Sequence, residues 1–207
     1  MAQIITVIGK RSNSHQLSRA KNNQIKQGSK GFELGIGFCR QIRQTSAKAL
    51  VGENMGFLKQ TALKMLGEAL VNKIPFNRHI GLEYDSVSEQ ECIIKFDMKP
   101  ELVGNYYHGI LHGGVISSAL DMVGGTMAAV GILNDNPATH LPQLKTKLAK
   151  LSTIDIRVDY LRPGRGEQFF AKAQLLRAGR KVAVVRMELE NNEGSLIAVA
   201  TGTYMVG

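Results

Sequence analysis

Residues 112–130 read HGGVISSALDMVGGTMAAV, an apolar run of small residues whose one charge, Asp121, stands near its middle. At 3.6 residues per turn each position advances by about 100°. Val115, Ile116, Ala119, Leu120, Val123, Met127 and Val130 then share one arc, which predicts the core face of a long buried helix. Ser117, Asp121, Gly124 and Ala128 fall on a separate narrow stripe. Small residues there leave room for another backbone, another subunit or a ligand. An unpaired ionised side chain in apolar surroundings is costly, so Asp121 is expected to be partnered, neutralised or facing a cavity. The alternative is an acid on the wet side of a surface helix. No other charge occurs from His112 to Leu133, and that disfavours it.

At the head of the run, His112-Gly113-Gly114 stands where the helix should begin. The free N–H groups of a helix N-terminus carry partial positive charge and suit a developing oxyanion. A carboxylate two turns on would then activate water against a carbonyl held at those N–H groups. HGG also reads as a plain tight turn.

Upstream, Leu58, Ala62, Met65, Leu66 and Ala69 recur at helical spacing, and Pro75 should stop that helix. HIGLEYDSVSEQECIIKFDMKP gives two strand-like runs around a polar turn, and ELVGNYYHGIL reads as irregular. Downstream, NDNPATHLPQLKTKLAK reads as a polar connection that ends the central helix near Leu133. STIDIRVDYLRP, EQFFAKAQLLRAG, KVAVVRMELENN and SLIAVATGTYMV follow as four strands joined by short turns. The order predicts an α+β plan in which one antiparallel sheet wraps one helix.

The 207 residues suit one domain with an appendage; 43 % are hydrophobic and 21 % charged, as in an ordinary soluble globule. No apolar run reaches the roughly 18 residues of a membrane span, since Gly, Ser and Asp121 interrupt the best candidate. The formal charge of +9 divides unevenly, +7 on residues 1–54 and +2 on the rest. The main domain therefore lacks the electrostatic footprint of a nucleic-acid binder. Residues 1–54 are polar and basic, which predicts a disordered extension. An organellar transit segment, or a biological start at Met55, would fit the same composition. The GKRS stretch at Gly9–Ser12 is no phosphate loop, because Ile4 stands where the first glycine belongs. Two cysteines, Cys39 and Cys92, form no metal or redox pattern and point to a reducing, cytoplasmic setting. The start MAQIITVIGKRSNS has no basic residue ahead of its apolar stretch, which argues against a secretory signal.

HGGVISSALD, with STIDIRVDYLRPG and the closing VATGTYMV, resembles hotdog-fold acyl-CoA thioesterases of the PaaI-like type over roughly residues 75–206. The resemblance implies a sheet wrapped around a long helix, paired sheets in a homodimer or homotetramer, and active sites between protomers. It implies hydrolysis of acyl-CoA to free acid and CoA, without a cofactor. Asp121 would be general base or nucleophile and the Gly113 N–H would polarise the thioester carbonyl. Asn105 would place substrate or water, Thr153 (with Ser152 beside it) would contact the attacking water, and His112 would support the loop or the thioester sulfur. Gly114 and Ser117 would line the substrate. Arg162 and Arg165 in LRPGR, and Arg177 and Arg180 in RAGR, are candidates for the CoA phosphates or else ordinary turn charges. His108 and His112 have zinc-helix spacing but lack the Glu of HExxH, so no metal is expected. Two competing functions share the fold. One is a non-catalytic acyl-CoA-binding regulator or scaffold, whose basic extension would contact nucleic acid; no helix-turn-helix pattern supports it. The other is an acyl-thioester dehydratase or hydratase, whose acid–histidine arrangements are absent.

Overall fold

The computed structural model describes residues 56–135 and 141–207. The expectations for residues 1–54 and Met55 lie outside them. Chain contacts separate two units, residues 1–61 and 62–207. Of the first, residues 56–61 are described, as the opening of a helix, α1, that runs over 56–72. All other elements belong to the second.

Pro75 ends α1 as expected, and it also opens a second short helix, α2 (Pro75–Ile80), at whose first turn its missing N–H costs nothing. Asn77, 2 % exposed, turns its Nδ2 back to the carbonyls of Leu70 (3.1 Å) and Val71 (3.0 Å), which have no helical donor left. Gly81, at φ 87°, closes α2 in the left-handed region.

Strands β1 (Glu83–Val87) and β2 (Glu91–Asp97) form the predicted hairpin. The stretch read as irregular contains a 3-10 turn, Pro100–Leu102, and a small hairpin of β3 (Val103–Asn105) and β4 (Ile110–Leu111). The central helix α3 spans Gly113–Asp135, two residues beyond the expected end. The supposed polar connection holds a further helix, α4 (Leu141–Lys150), with Leu144 and Leu148 packed against the core. Then come β5 (Ser152–Tyr160), β6 (Gln168–Ala178), β7 (Val182–Asn191) and β8 (Leu196–Met205). Six strands form one antiparallel sheet in the order β1-β2-β6-β7-β8-β5, so β5 is an open edge.

Burial alternates along β2 and β7, as a sheet with one face on a core requires. Ile116, Ala119, Leu120, Val123, Met127 and Val130 of α3 are buried and Val115 partly so, as the arc predicts. Each large aliphatic side chain removed from water there contributes about 1.5–3 kcal/mol. One expectation is corrected: by length and composition alone, Gly113–Asn134 is apolar enough to cross a bilayer. Its apolar surface faces inward, since 67 % of its most apolar 18-residue stretch is buried within the chain.

Candidate active site

Asp121 is partly buried on the narrow stripe of α3. Two hydroxyls converge on its Oδ1: Thr153 Oγ1 donates at 2.8 Å and Tyr204 OH lies at 3.3 Å. Thr153 and Tyr204 face each other across the β5–β8 ladder, and so both project from the face of the sheet that holds the helix. A bulge makes this possible. The register shifts between Thr153 and Asp155, so Thr153 pairs with Tyr204 while Asp155 pairs with Thr203, whose Oγ1 it approaches at 3.5 Å. The extra residue, Ile154, allows an inward hydroxyl to be followed two positions later by an outward acid.

Tyr204 is 1 % exposed. Its hydroxyl also lies 3.3 Å from the Asp121 carbonyl oxygen and 3.4 Å from Met187 Sδ. Burial, and then the neighbouring Asp121 carboxylate, push its pKa well above the usual tyrosine value, so the hydroxyl keeps its proton as a donor. The space beside Asp121 on the small-residue stripe is therefore partly filled by this chain's own sheet. A Cβ on Gly124 would stand 2.1 Å from the Tyr204 hydroxyl and 2.3 Å from Met187 Sδ. Gly202, two residues before Tyr204 on the same face, would clash with the ring at 2.8 Å.

At the start of α3, His112 acts as a side-chain cap: the Gly114 N–H donates to its Nδ1 at 2.9 Å. The Gly113 N–H finds no acceptor among the described residues. It points from the positive end of the helix, the environment an oxyanion needs. Tyr160, at the far end of β5, donates its hydroxyl to the Gly113 carbonyl at 3.0 Å and steadies the turn from the sheet side. The Ser117 and Ser118 hydroxyls bend back to the Gly114 carbonyl at 3.1 and 2.7 Å. Gly104 of β3 packs against the His112 backbone so closely that a Cβ there would lie 2.5 Å from the His112 Cα.

Asn105 therefore lies beside the HGG turn, its Oδ1 accepting the Tyr107 N–H at 3.1 Å and its amide nitrogen left as a donor. The four arginines are exposed and fall in two groups. Arg162 donates to the Leu196 carbonyl and Arg165 to the His108 carbonyl, and Gly164 between them packs on Leu111 and Ile116 near the start of α3. Arg177 and Arg180 flank the β6–β7 turn, where Ala178 packs near Gly131 at the other end of α3. Within one chain the two groups lie toward opposite ends of α3. His108 sits in the β3–β4 turn and His112 at the helix cap, so this i, i+4 pair shares no helical face.

Within a single chain Gly113 and Asp121 stand apart. Asp121 stands eight positions after Gly113 along the helix, about 12 Å at 1.5 Å per step. A reacting carbonyl must lie near 3 Å from its N–H donor, with water between carbon and base. One chain's Asp121 is too far from its own Gly113 to act on the same carbonyl. The residue that sequence reasoning misses is Tyr204: its only sequence signals are Gly124, three residues after the acid, and the Gly202-x-Tyr204 spacing.

The thioesterase superfamily model matches residues 108–198, which include the HGG turn, Asp121 and Thr153. The medium/long-chain acyl-CoA thioesterase YigI of Escherichia coli K12 is 48 % identical over 148 residues, covering 72 % of this chain and 96 % of the relative. A crystal structure from Shewanella oneidensis, described as related to the thioesterase superfamily, superposes with a TM-score of 0.69 at 43 % identity over 72 % of this chain and 98 % of the other. A mutant structure of the phenylacetic acid degradation protein PaaI of Thermus thermophilus has a TM-score of 0.50 at 24 % identity over 64 % of this chain and 98 % of its own, a likeness of fold. A long helix cradled by an antiparallel sheet is thus accompanied by near half identity along almost the full length of a relative, and the chain belongs to the thioesterase superfamily, with the hotdog fold.

Proposed function

We propose that this protein hydrolyses acyl-CoA thioesters to free acid and CoA, and that each site is shared between two chains. The carrying observation is the Thr153–Asp121 contact, which orients a lone carboxylate at the open edge of the sheet while leaving Oδ2 without a partner among the described residues. The helical separation of about 12 Å explains the sharing: Asp121 of one subunit works with Gly113 of the partner subunit. Edge strand β5 supports a homodimer, because Ile154 and Tyr160 on it and Leu161 just after it are about half exposed in the single chain. An unpaired edge with apolar side chains invites a second copy.

Asp121 takes a proton from water, whose oxygen bonds the thioester carbon. The oxyanion rests on the Gly113 N–H, the C–S bond breaks, and the proton returns to the thiolate of CoA. Thr153 orients the acid, His112 caps the turn that presents Gly113, and Asn105 offers an amide donor beside it. Gly114 and Ser117 line the substrate's path. Arg162 and Arg165 serve the CoA phosphates at the Gly113 end, with Arg177 and Arg180 as the second group. Identity to YigI favours medium and long acyl chains. No cofactor is required by this chemistry, and two cysteines fit a cytoplasmic role in fatty acid metabolism.

The test is a panel of acyl-CoAs of graded length with released thiol as readout. Turnover of medium and long chains is expected, with loss in Asp121→Asn. Tight acyl-CoA binding by wild-type protein with no thiol release would overturn the proposal in favour of the non-catalytic acyl-CoA-binding reading.

A further inference from the structure

We infer that Tyr204 is a positioning residue for the Asp121 carboxylate. Its hydroxyl and that of Thr153 hold Oδ1, so that Oδ2 is the oxygen that receives the proton of the attacking water. The inference rests on the hydrolase reading above and names which carboxylate oxygen reacts.

The geometry comes from two directions. Thr153 reaches Oδ1 from the exposed edge strand and Tyr204 from the buried strand next to it, at 2.8 and 3.3 Å. Two donors from different strands fix the plane of a carboxylate where one leaves it free to swing, and hydrogen bonds to an ionised acceptor are the stronger kind. The Tyr204 hydroxyl has one hydrogen and three acceptors within 3.4 Å: Oδ1, the Asp121 carbonyl and Met187 Sδ. The charged oxygen is the strongest of these. No other side-chain donor reaches Asp121 among the described residues.

The fold also makes a slot for this tyrosine. A side chain on Gly124 would meet its hydroxyl, and one on Gly202 would meet its ring. Two glycines on different elements therefore admit one phenol to one carboxylate. A tyrosine that merely filled the core would need neither its hydroxyl nor Gly124 at the hydroxyl's end. With the carboxylate fixed, water gives its proton to Oδ2 and its oxygen to the thioester carbon, the C–S bond breaks, and Oδ2 returns the proton to the departing sulfur.

The test compares wild type, Tyr204→Phe, Asp121→Asn and the double variant in acyl-CoA hydrolysis. Loss of a charge-assisted hydrogen bond should lower kcat roughly ten- to hundredfold. KM should stay the same, because substrate does not touch Tyr204. In the Asp121→Asn background the same substitution should cost nothing further, since there is no carboxylate left to orient; a packing role would cost the same in both backgrounds. A second measurement needs no activity: the Cζ resonance of Tyr204, assigned by its absence in Tyr204→Phe, should move in Asp121→Asn. Wild-type kcat in Tyr204→Phe, equal losses in both backgrounds, or an unmoved resonance would each overturn the inference. A wild-type protein that releases no thiol would defeat the hydrolase reading instead, and the resonance would then decide whether Tyr204 holds the carboxylate.

Discussion

Thr153 Oγ1 lies 2.8 Å from Asp121 Oδ1, joining the start of the edge strand to the middle of the central helix. Thr153 lies on the helix side of the edge strand yet is itself exposed, so this bond is the part of the site most open to substitution without disturbing the core. Thr153→Ser keeps the donor and should keep turnover within a few-fold, whereas Thr153→Val should lower kcat about tenfold at unchanged thermal stability. Steady-state kinetics with a melting curve for each variant checks both halves.

Complementation tests the shared site. Gly113→Pro removes the N–H at the first helical position, where proline's fixed φ suits the helix. The neighbour a Cβ would meet there, Tyr160 at 3.5 Å, is at ordinary contact distance. Gly113→Pro and Asp121→Ala should each be nearly inactive, the second by roughly 10²–10⁴-fold. Unfolded and refolded together, they should regain about a quarter of wild-type activity, since random pairing gives half heterodimers with one intact site each. No recovery, with heterodimers verified, would place both groups in one chain.

Gly124→Ala should destabilise the protein by about 1–3 kcal/mol through overpacking against Tyr204 and Met187. It should also depress kcat by displacing the phenol. Chemical denaturation and hydrolysis rates measure the two effects separately, and a variant as stable and active as wild type would refute the tight fit.

Much of this arrangement is readable in the sequence because the signals are local. The core arc of α3 follows from a 3.6-residue period over an uninterrupted run, and β5–β8 from alternation bounded by turn residues. The helix α4 escapes such a reading although Leu144 and Leu148 stand one turn apart: its lysines and Pro142 suggest a loop, while a proline is at home in a first helical turn. Tyr204 is hidden for a different reason. It meets Asp121 across 83 residues of chain, through a register that only the assembled sheet defines. Thr153 is found by family likeness and would be misplaced by pattern. Strict alternation back from Tyr160 puts position 154 inward and 153 outward, and the bulge reverses this.

Alkaline pH should erode the fold from within. Burial pushes the Cys92 thiol from its ordinary 9.0 up to about 12, and it pushes Tyr204 upward from 10.0. Both groups stay protonated in the folded chain at pH values where the unfolded chain releases them. Their stabilising effect is thus fully present below about pH 9 and is lost as pH rises toward 12. Unfolding free energies across this range should fall with pH, and Cys92→Ala should flatten the slope by up to one proton. A slope unchanged in that variant would exclude Cys92 as a source.

The eight-residue offset between Gly113 and Asp121 along the helix has a bearing on kinetics. If neither chain alone carries a complete set of reacting groups, the rate per chain depends on protein concentration. Below the dissociation constant of the pair, turnover should become second order in protein and fade on dilution while every chain remains folded. Assays at nanomolar and micromolar protein would then report different specific activities for the same molecule.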